Sequence, residues 1–303
     1  MNRQRKRSLE LTFAIILFVV FMAGCSQKDG LPSSAGQPYK VLVVAPDSQS
    51  ATIVTRILNA PMQGLPQEES LFDVTYCNNS RFGLSQRLLR SIVTIDIDST
   101  RHDKVEIRYE HDKDASPQII IHLNSPSKKA LSTAMEHGTG GTKLMSLLLR
   151  HEEAIQKRFI DEHRNTKMEQ TVKRMFGIDI HLPANMQASK ANKDFLWIAD
   201  NSGTTMQSLC IFKGTEVDSM LQANIKGERA GMYMVINGDK RGLWEMKGDA
   251  MGGPYIMETL TTHDSRPVTL FAFVYAPGHE KRLMMRRLET IIKSASHNSD
   301  KKK

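Results

Sequence analysis

The chain has 303 residues and a formal net charge of +8, with 40% hydrophobic and 24% charged residues. Part of that charge is local: residues 1–24 hold four basic groups and one acidic group, and the rest carries 37 basic against 32 acidic residues, a net charge of +5. From Lys40 onward 264 residues remain, enough for two modest domains or one large α+β unit with a substantial core.

The amino terminus reads as a targeting segment. Arg3, Arg5, Lys6 and Arg7 precede an apolar stretch from Leu11 to Ala23 that is too short to span a bilayer stably, which favours a cleaved signal over a transmembrane helix. Ala23-Gly24-Cys25 resembles the lipobox of bacterial lipoproteins, with Met22 where that pattern prefers Leu. The resemblance implies that Cys25 becomes the lipidated first residue. It further implies a cell-envelope protein held to the membrane, the outer membrane by expectation, on its periplasmic or its surface face. Ser26-Gln27-Lys28-Asp29 is similar to the export tags of some Bacteroidota lipoproteins. Such a chain meets no nucleic acid routinely. Its expected partners are the membrane, through the lipid, and an envelope protein or glycan.

Ser26 to Tyr39 contains prolines, glycines and serines without an apolar period and reads as a flexible linker. Lys40 to Ala45 is an apolar strand ended by Pro46-Asp47, and Ser48 to Leu58 has helical spacing. Strands are expected at Phe72 to Cys77, Ser91 to Asp98, Lys104 to His111 and Gln118 to Leu123. Ser125-Pro126 then reads as the start of a helix that can end at Gly138. A long helical stretch runs from about Thr142 to Phe176, broken near Asn165, where Thr166-Lys-Met-Glu169 is a capping-box pattern. Gly177 supplies its stop. A helix of that length joins or backs two sheets.

In the second half, strands are read at Ile178 to Leu182, Asp194 to Ala199, Ser208 to Lys213, Tyr233 to Asn237, Gly242 to Lys247, Tyr255 to Leu260 and Val268 to Tyr275. A short helix covers Glu216 to Asn224, and Pro277 opens a final one. The expected fold class is α+β: two lobes, each a mostly antiparallel sheet with helices packed across it, the second loosely similar to PsbP-like domains. The lobes are placed at residues 40–164 and 165–297, after a signal at 1–24 and a lipidated linker at 25–39, with a basic tail at 298–303. The basic excess of the final helix, including Lys281, Arg282, Arg286, Arg287 and Lys293, reads either as a solvated face or as a surface for acidic headgroups or glycans.

No catalytic signature emerges. His151-Glu152-Glu153-Ala154-Ile155 offers one histidine where a zinc-protease helix needs a second at Ile155. Gly138 to Lys143 lacks P-loop glycine spacing and reads as a helix-to-helix loop. Ten histidines are scattered, no serine sits in a nucleophile elbow, and Asp96 and Asp98 alternate as solvent-facing strand residues would. No metal and no cofactor is expected. Cys77 and Cys210 could pair in an oxidising compartment, but two separate buried thiols fit better.

The unusual segment is Arg241 to Tyr255, with Gly248, Asp249, Gly252, Gly253 and Pro254 close together. It requires positive φ angles or close backbone approach. It reads as a hairpin whose Trp244 enters the core, or as a rigid loop presenting Trp244, Asp249 or Met251 to a partner. The run Gly242 to Tyr255 resembles the signature of a domain-of-unknown-function family of Bacteroidota lipoproteins. Lys193-Asp194-Phe195-Leu196-Trp197, Val274-Tyr275-Ala276-Pro277 and Ser34-x-Gly36-x-Pro38-Tyr39 extend that similarity over nearly the whole mature chain. The resemblance implies no activity, cofactor or catalytic residue. The reading is therefore an anchored binding or assembly module without catalysis. The alternatives are a hydrolase or transferase acting on envelope polymers between the lobes, and a carrier of a small apolar ligand.

Overall fold

The computed structural model describes residues 30–262 and 265–297. Cys25, the signal segment and the basic tail lie outside the described residues. The first lobe contains β1 (Lys40–Ala45), α1 (Ser48–Leu58), β2 (Asp73–Asn78), α2 (Leu84–Arg87), β3 (Ser91–Ile97), β4 (Glu106–His111), β5 (Ile119–Ser125), α3 (Lys128–Glu136) and α4 (Gly140–Glu162). Its five strands run in the order β2-β1-β3-β5-β4. The β1–β2, β1–β3 and β3–β5 pairs are parallel, and only β4 is antiparallel to its neighbour β5. The sheet is thus mixed rather than mostly antiparallel. The reason is α1, which carries the chain back along the sheet after β1 and so makes β2 parallel to it. Strand β1 is apolar on both faces because both are covered: Val41, Val43 and Ala45 meet α1, α3 and α4, while Leu42 and Val44 join Ile92 and Ile120 on the other side.

The second lobe contains α5 (Thr166–Phe176), β6 (Ile178–Asp179), β7 (Gln187–Ala191), β8 (Phe195–Ala199), β9 (Met206–Lys213), α6 (Val217–Asn224), β10 (Tyr233–Gly238), β11 (Arg241–Lys247), β12 (Gly252–Thr261), β13 (Pro267–Tyr275), α7 (Arg282–Ser294) and β14 (Ser296–His297). Seven strands form an antiparallel sheet in the order β10-β11-β12-β13-β9-β8-β7. Alternation divides its residues between two cores. Leu196, Ile198, Leu209, Ile211 and Leu270 face α5 and α7, whereas Phe195, Phe212, Phe271 and Phe273 face α6. Helix α4 contributes Leu144, Leu147 and Leu148 to the first core and Ile160 to the second, so one helix does back both sheets.

Three local readings change. The stretch read as linker is fastened down over 32–39. Ala35 N–H donates to the Leu88 carbonyl at 2.7 Å, Ser34 N–H to Ser116 at 3.1 Å, and Ser116 N–H to Pro32 at 2.9 Å. Tyr39 is buried against Phe72 with ring centroids 5.7 Å apart. Asn165, not Thr166, caps α5 by accepting Met168 N–H at 3.1 Å, and Glu169 instead holds Arg164 and the Leu182 N–H. The final helix begins at Arg282 rather than Pro277, because its amino terminus is set by the other lobe.

That junction is polar and buried. The Glu69 carboxylate accepts the N–H groups of Lys281 and Arg282, each at 2.8 Å, where α7 has no side-chain cap of its own. Arg282, 3% exposed, reaches back to the Ser70 carbonyl at 2.6 Å and takes Asp73 bidentately at 3.0 and 2.8 Å. Arg282 holds the Asp73 carboxyl below its ordinary range. Further along, Arg241 and Arg286 both bind Glu289, and Arg286 lies 5.7 Å over the Tyr39 ring. Lys293 pairs with Glu153 at 2.7 Å. The basic residues of the final helix are therefore largely spent on the seam, not offered to headgroups. Arg282→Ala should lower stability by about 2–3 kcal/mol in urea denaturation, since it strands the Ser70 carbonyl and a half-exposed carboxylate. Arg101→Ala, which removes surface pairs with Asp96 and Asp98, should leave the urea midpoint essentially unchanged.

Candidate functional site

The loop expected to meet a partner is built into the fold. Trp244 is 3% exposed, sits opposite Gly253 in the β11–β12 ladder, and donates its indole N–H to the Val274 carbonyl at 3.1 Å. A Cβ on Gly253 would lie 2.1 Å from that same carbonyl oxygen. The glycine keeps the path clear for the indole. Gly252 likewise serves close approach, with no positive φ, whereas Gly248 in the turn has φ +86°. Asp249 is exposed and Met251 half-buried against the aromatic core, so only Asp249 of the three stands free at the surface. Trp244 is a core residue, which removes it as a surface contact.

Trp244, Asp249 and Met251 together line an open, polar cavity of about 680 Å³ beside β11, and a more apolar pocket of about 330 Å³ opens where the lobes meet. Pro38 and Tyr39 of the amino-terminal segment, Ile155 and Phe159 of α4, and Leu283 of α7 wall it. Phe159 and Leu283 are exposed at 54% and 41%, large values for apolar side chains. Its polar groups are engaged from within. Gln156 accepts the Thr290 hydroxyl at 3.1 Å, Arg287 donates to Asn185 at 2.7 Å, and Glu152 lies 3.7 Å from Arg90 and 3.3 Å from the Ser91 hydroxyl. Burial pushes the Glu152 carboxyl up, against the pull of Arg90. No serine, threonine or cysteine lines this pocket, and burial pushes the Tyr39 hydroxyl far above its ordinary range.

Histidines that are distant in sequence meet in the first lobe. Thr94 Oγ1 lies 2.8 Å from His122 Nδ1, and His122 Nε2 lies 2.9 Å from Glu110 Oε1, which also holds Lys113 at 2.7 Å. Lys113 and then His122 keep Glu110 below the ordinary carboxylate range. This hydroxyl–imidazole–carboxylate chain was not visible in the sequence, because its members sit on β3, β4 and β5 and only the sheet register aligns them. It is poorly placed for acyl transfer. Thr94 is mid-strand with β1 on one side and β5 on the other, so neighbouring amides are committed to ladders and not to an oxyanion. On the α4 side of the sheet, His111 and His151 have ring centroids 5.8 Å apart.

His151, singled out within a rejected zinc motif, is 7% exposed. Among the described residues no group of three His, Cys, Asp or Glu could hold a metal ion, and Cys77 and Cys210 are free thiols, Cys210 buried and Cys77 half-buried. Gly138 to Lys143 forms the tight α3–α4 turn, where a Cβ on Gly141 would lie 2.5 Å from the Met135 carbonyl oxygen. No helix among the described residues is long and apolar enough to cross a membrane.

Comparison with known families places two models on the chain. Residues 34–161 match a domain of unknown function, DUF8532, and residues 165–294 match another, DUF4837. Each model covers less than half of the chain, and both describe domains of unknown function, consistent with an uncharacterised family. No curated protein and no solved structure matches it.

Burial first, then the charges of His111 and Arg90, lower the His151 pKa to about 4 from 6.5. The unfolded chain therefore binds a proton between those values that the folded chain refuses. The stability this residue confers is complete above pH 6.5 and is lost as pH falls toward 4, by on the order of 3 kcal/mol. His151→Gln should flatten that part of the pH dependence, as read from urea denaturations above and within the window.

Proposed function

We propose that this protein is a lipid-anchored envelope lipoprotein whose two joined lobes form a binding module for a small, largely apolar ligand. The observation that carries the reading is the interlobe pocket. Its volume of about 330 Å³ falls within the roughly 300–1,000 Å³ usual for small-molecule sites. Its walls are mostly apolar, and two exposed hydrophobic side chains flank it. Of its charged groups, Glu152 and Arg287 have partners in the protein, while Arg90 Nε, 3.7 Å from Glu152, is buried without a hydrogen bond. A catalytic pocket would instead bring a nucleophile or an unpaired acid and base to its surface. The seam supports the same reading, since the buried Arg282–Asp73 and Glu69 contacts hold the two walls at a fixed spacing. The anchor rests on the charged, apolar and small-residue regions that end at Cys25.

Two measurements test this. Calorimetric titration with a medium-chain fatty acid should show saturable binding, weakened about tenfold or more by Leu283→Trp, which fills the pocket from a tolerant, exposed position. Absence of saturable binding, or unchanged binding by the variant, would refute the pocket. Independently, Cys25→Ala should abolish acyl labelling and leave the protein soluble or uncleaved. Labelling that persists in that variant would remove the anchor without touching the pocket.

A further inference from the structure

A second cleft, of about 490 Å³, lies between α4 and the β4 edge of the first sheet, and its chemistry is opposite to that of the interlobe pocket. Arg150 and Arg158 are two helical turns apart on α4, with their Cα atoms about 12 Å apart. Ala154 between them is small enough to leave the floor open. Strand alternation turns Tyr109 and His111 toward this cleft and places Glu110 on the other face, where His122 and Lys113 hold it. The one lining carboxylate, Asp112, already accepts the Gln118 N–H at 2.8 Å. Neither arginine is buried in an ion pair: Arg158 lies 3.7 Å from Glu162 with both side chains open to solvent, and Arg150 donates Nε to the Ser146 carbonyl. At the base of the cleft His151 Nε2 is buried with no hydrogen-bond partner. Beside an apolar wall that includes Pro117, Ile119 and Leu147, the polar lining is mainly cationic or proton-donating, with Asp112 as its one carboxylate. Tyr109, 51% exposed, adds an aromatic face and stands edge-on to His111 at 5.6 Å.

We propose that this cleft binds a small sugar bearing a phosphate or sulfate ester, with Arg150 and Arg158 taking the oxyanion, His111 adding a hydrogen bond, and Tyr109 packing against the sugar ring. Guanidinium forks match the oxygens of such esters, and charge-assisted hydrogen bonds are the stronger kind. Burial above all, then the charges of His111 and Arg90, lowers the basicity of His151. The assignment uses a different ligand class and different groups from the interlobe pocket, so the two stand or fall separately.

The test is titration of the full chain with a hexose monophosphate, the parent hexose, inorganic phosphate, and vesicles of phosphatidylglycerol or phosphatidylcholine. Saturable binding of the hexose monophosphate is expected, with the parent hexose bound about tenfold more weakly or worse. The double variant Arg150→Ala/Arg158→Ala should lose binding by a similar factor without a change in melting temperature, because both positions are exposed. Tyr109→Ala should weaken the hexose monophosphate and spare inorganic phosphate, while Arg101→Ala should change neither. Equal binding of hexose and hexose monophosphate, full binding by the double arginine variant, or a response to phosphatidylglycerol vesicles alone would each overturn the proposal.

Discussion

One carboxylate and one guanidinium, exchanged between the lobes, hold the molecule in its shape. Glu69 lies in the loop between α1 and β2, yet it caps a helix more than two hundred residues further on. Arg282, the first residue of that helix, returns the contact to Ser70 and Asp73. Each group answers a need of the other lobe: the helix has free N–H groups at its start, and the Ser70 carbonyl and the half-exposed Asp73 carboxylate receive the buried guanidinium. Because Arg282 is buried and multiply hydrogen-bonded, removing its partners costs more than the contact contributes relative to an apolar one. The seam therefore specifies one arrangement of the lobes more than it adds stability.

The rest of the architecture follows from that fixed point. Met62, from the same first-lobe loop, packs into the second-lobe core, and Ile160 brings the end of α4 there too. With α7 pinned at its start, its apolar residues Met285, Leu288, Ile291 and Ile292 lie on the antiparallel sheet, and its polar side meets the first lobe through Arg286, Thr290 and Lys293. Tyr39 sits at this meeting point, buried on Phe72 and under Arg286, which ties the amino-terminal segment into the same joint.

The two clefts share α4 and meet at Ile155, which lines both. On one side of it Phe159 faces the apolar joint, and on the other Arg150 and Arg158 face a strand edge where charge can stay solvated. In the Arg241–Tyr255 segment the packing half of the reading holds: Trp244 enters the core, while Asp249 and Met251 line the cavity beside it. Trp244 needs Gly253 beneath it to reach the carbonyl of Val274, and that demand accounts for the segment's dense glycines.

Much of the molecule was legible in the residues alone. The 3.6-residue spacing at Ile53, Val54, Ile57 and Leu58 placed α1 at its observed bounds, and Gly177 marked the end of α5 with φ +73°. Most strands of both lobes were placed to within a few residues, because period-two burial and turn residues are local properties of the chain. Strand direction was not local: the parallel first sheet depended on a crossover helix and on which strands became neighbours. The same holds for Glu69 as a helix cap, for the Thr94–His122–Glu110 chain, and for the arginine cleft. Local spacing pairs Arg150 with Arg158 on the helix and Tyr109 with His111 on the strand. What brings the helix to the strand, like Glu69 to Arg282 or Thr94 to His122, spans tens to hundreds of positions that no spacing rule joins. Sequence determined most of the elements and the α+β class, since each is written in neighbouring residues. Tertiary structure alone decided sheet direction, the lobe seam and both clefts, because side chains far apart in the chain interact only after folding has brought them within hydrogen-bond reach.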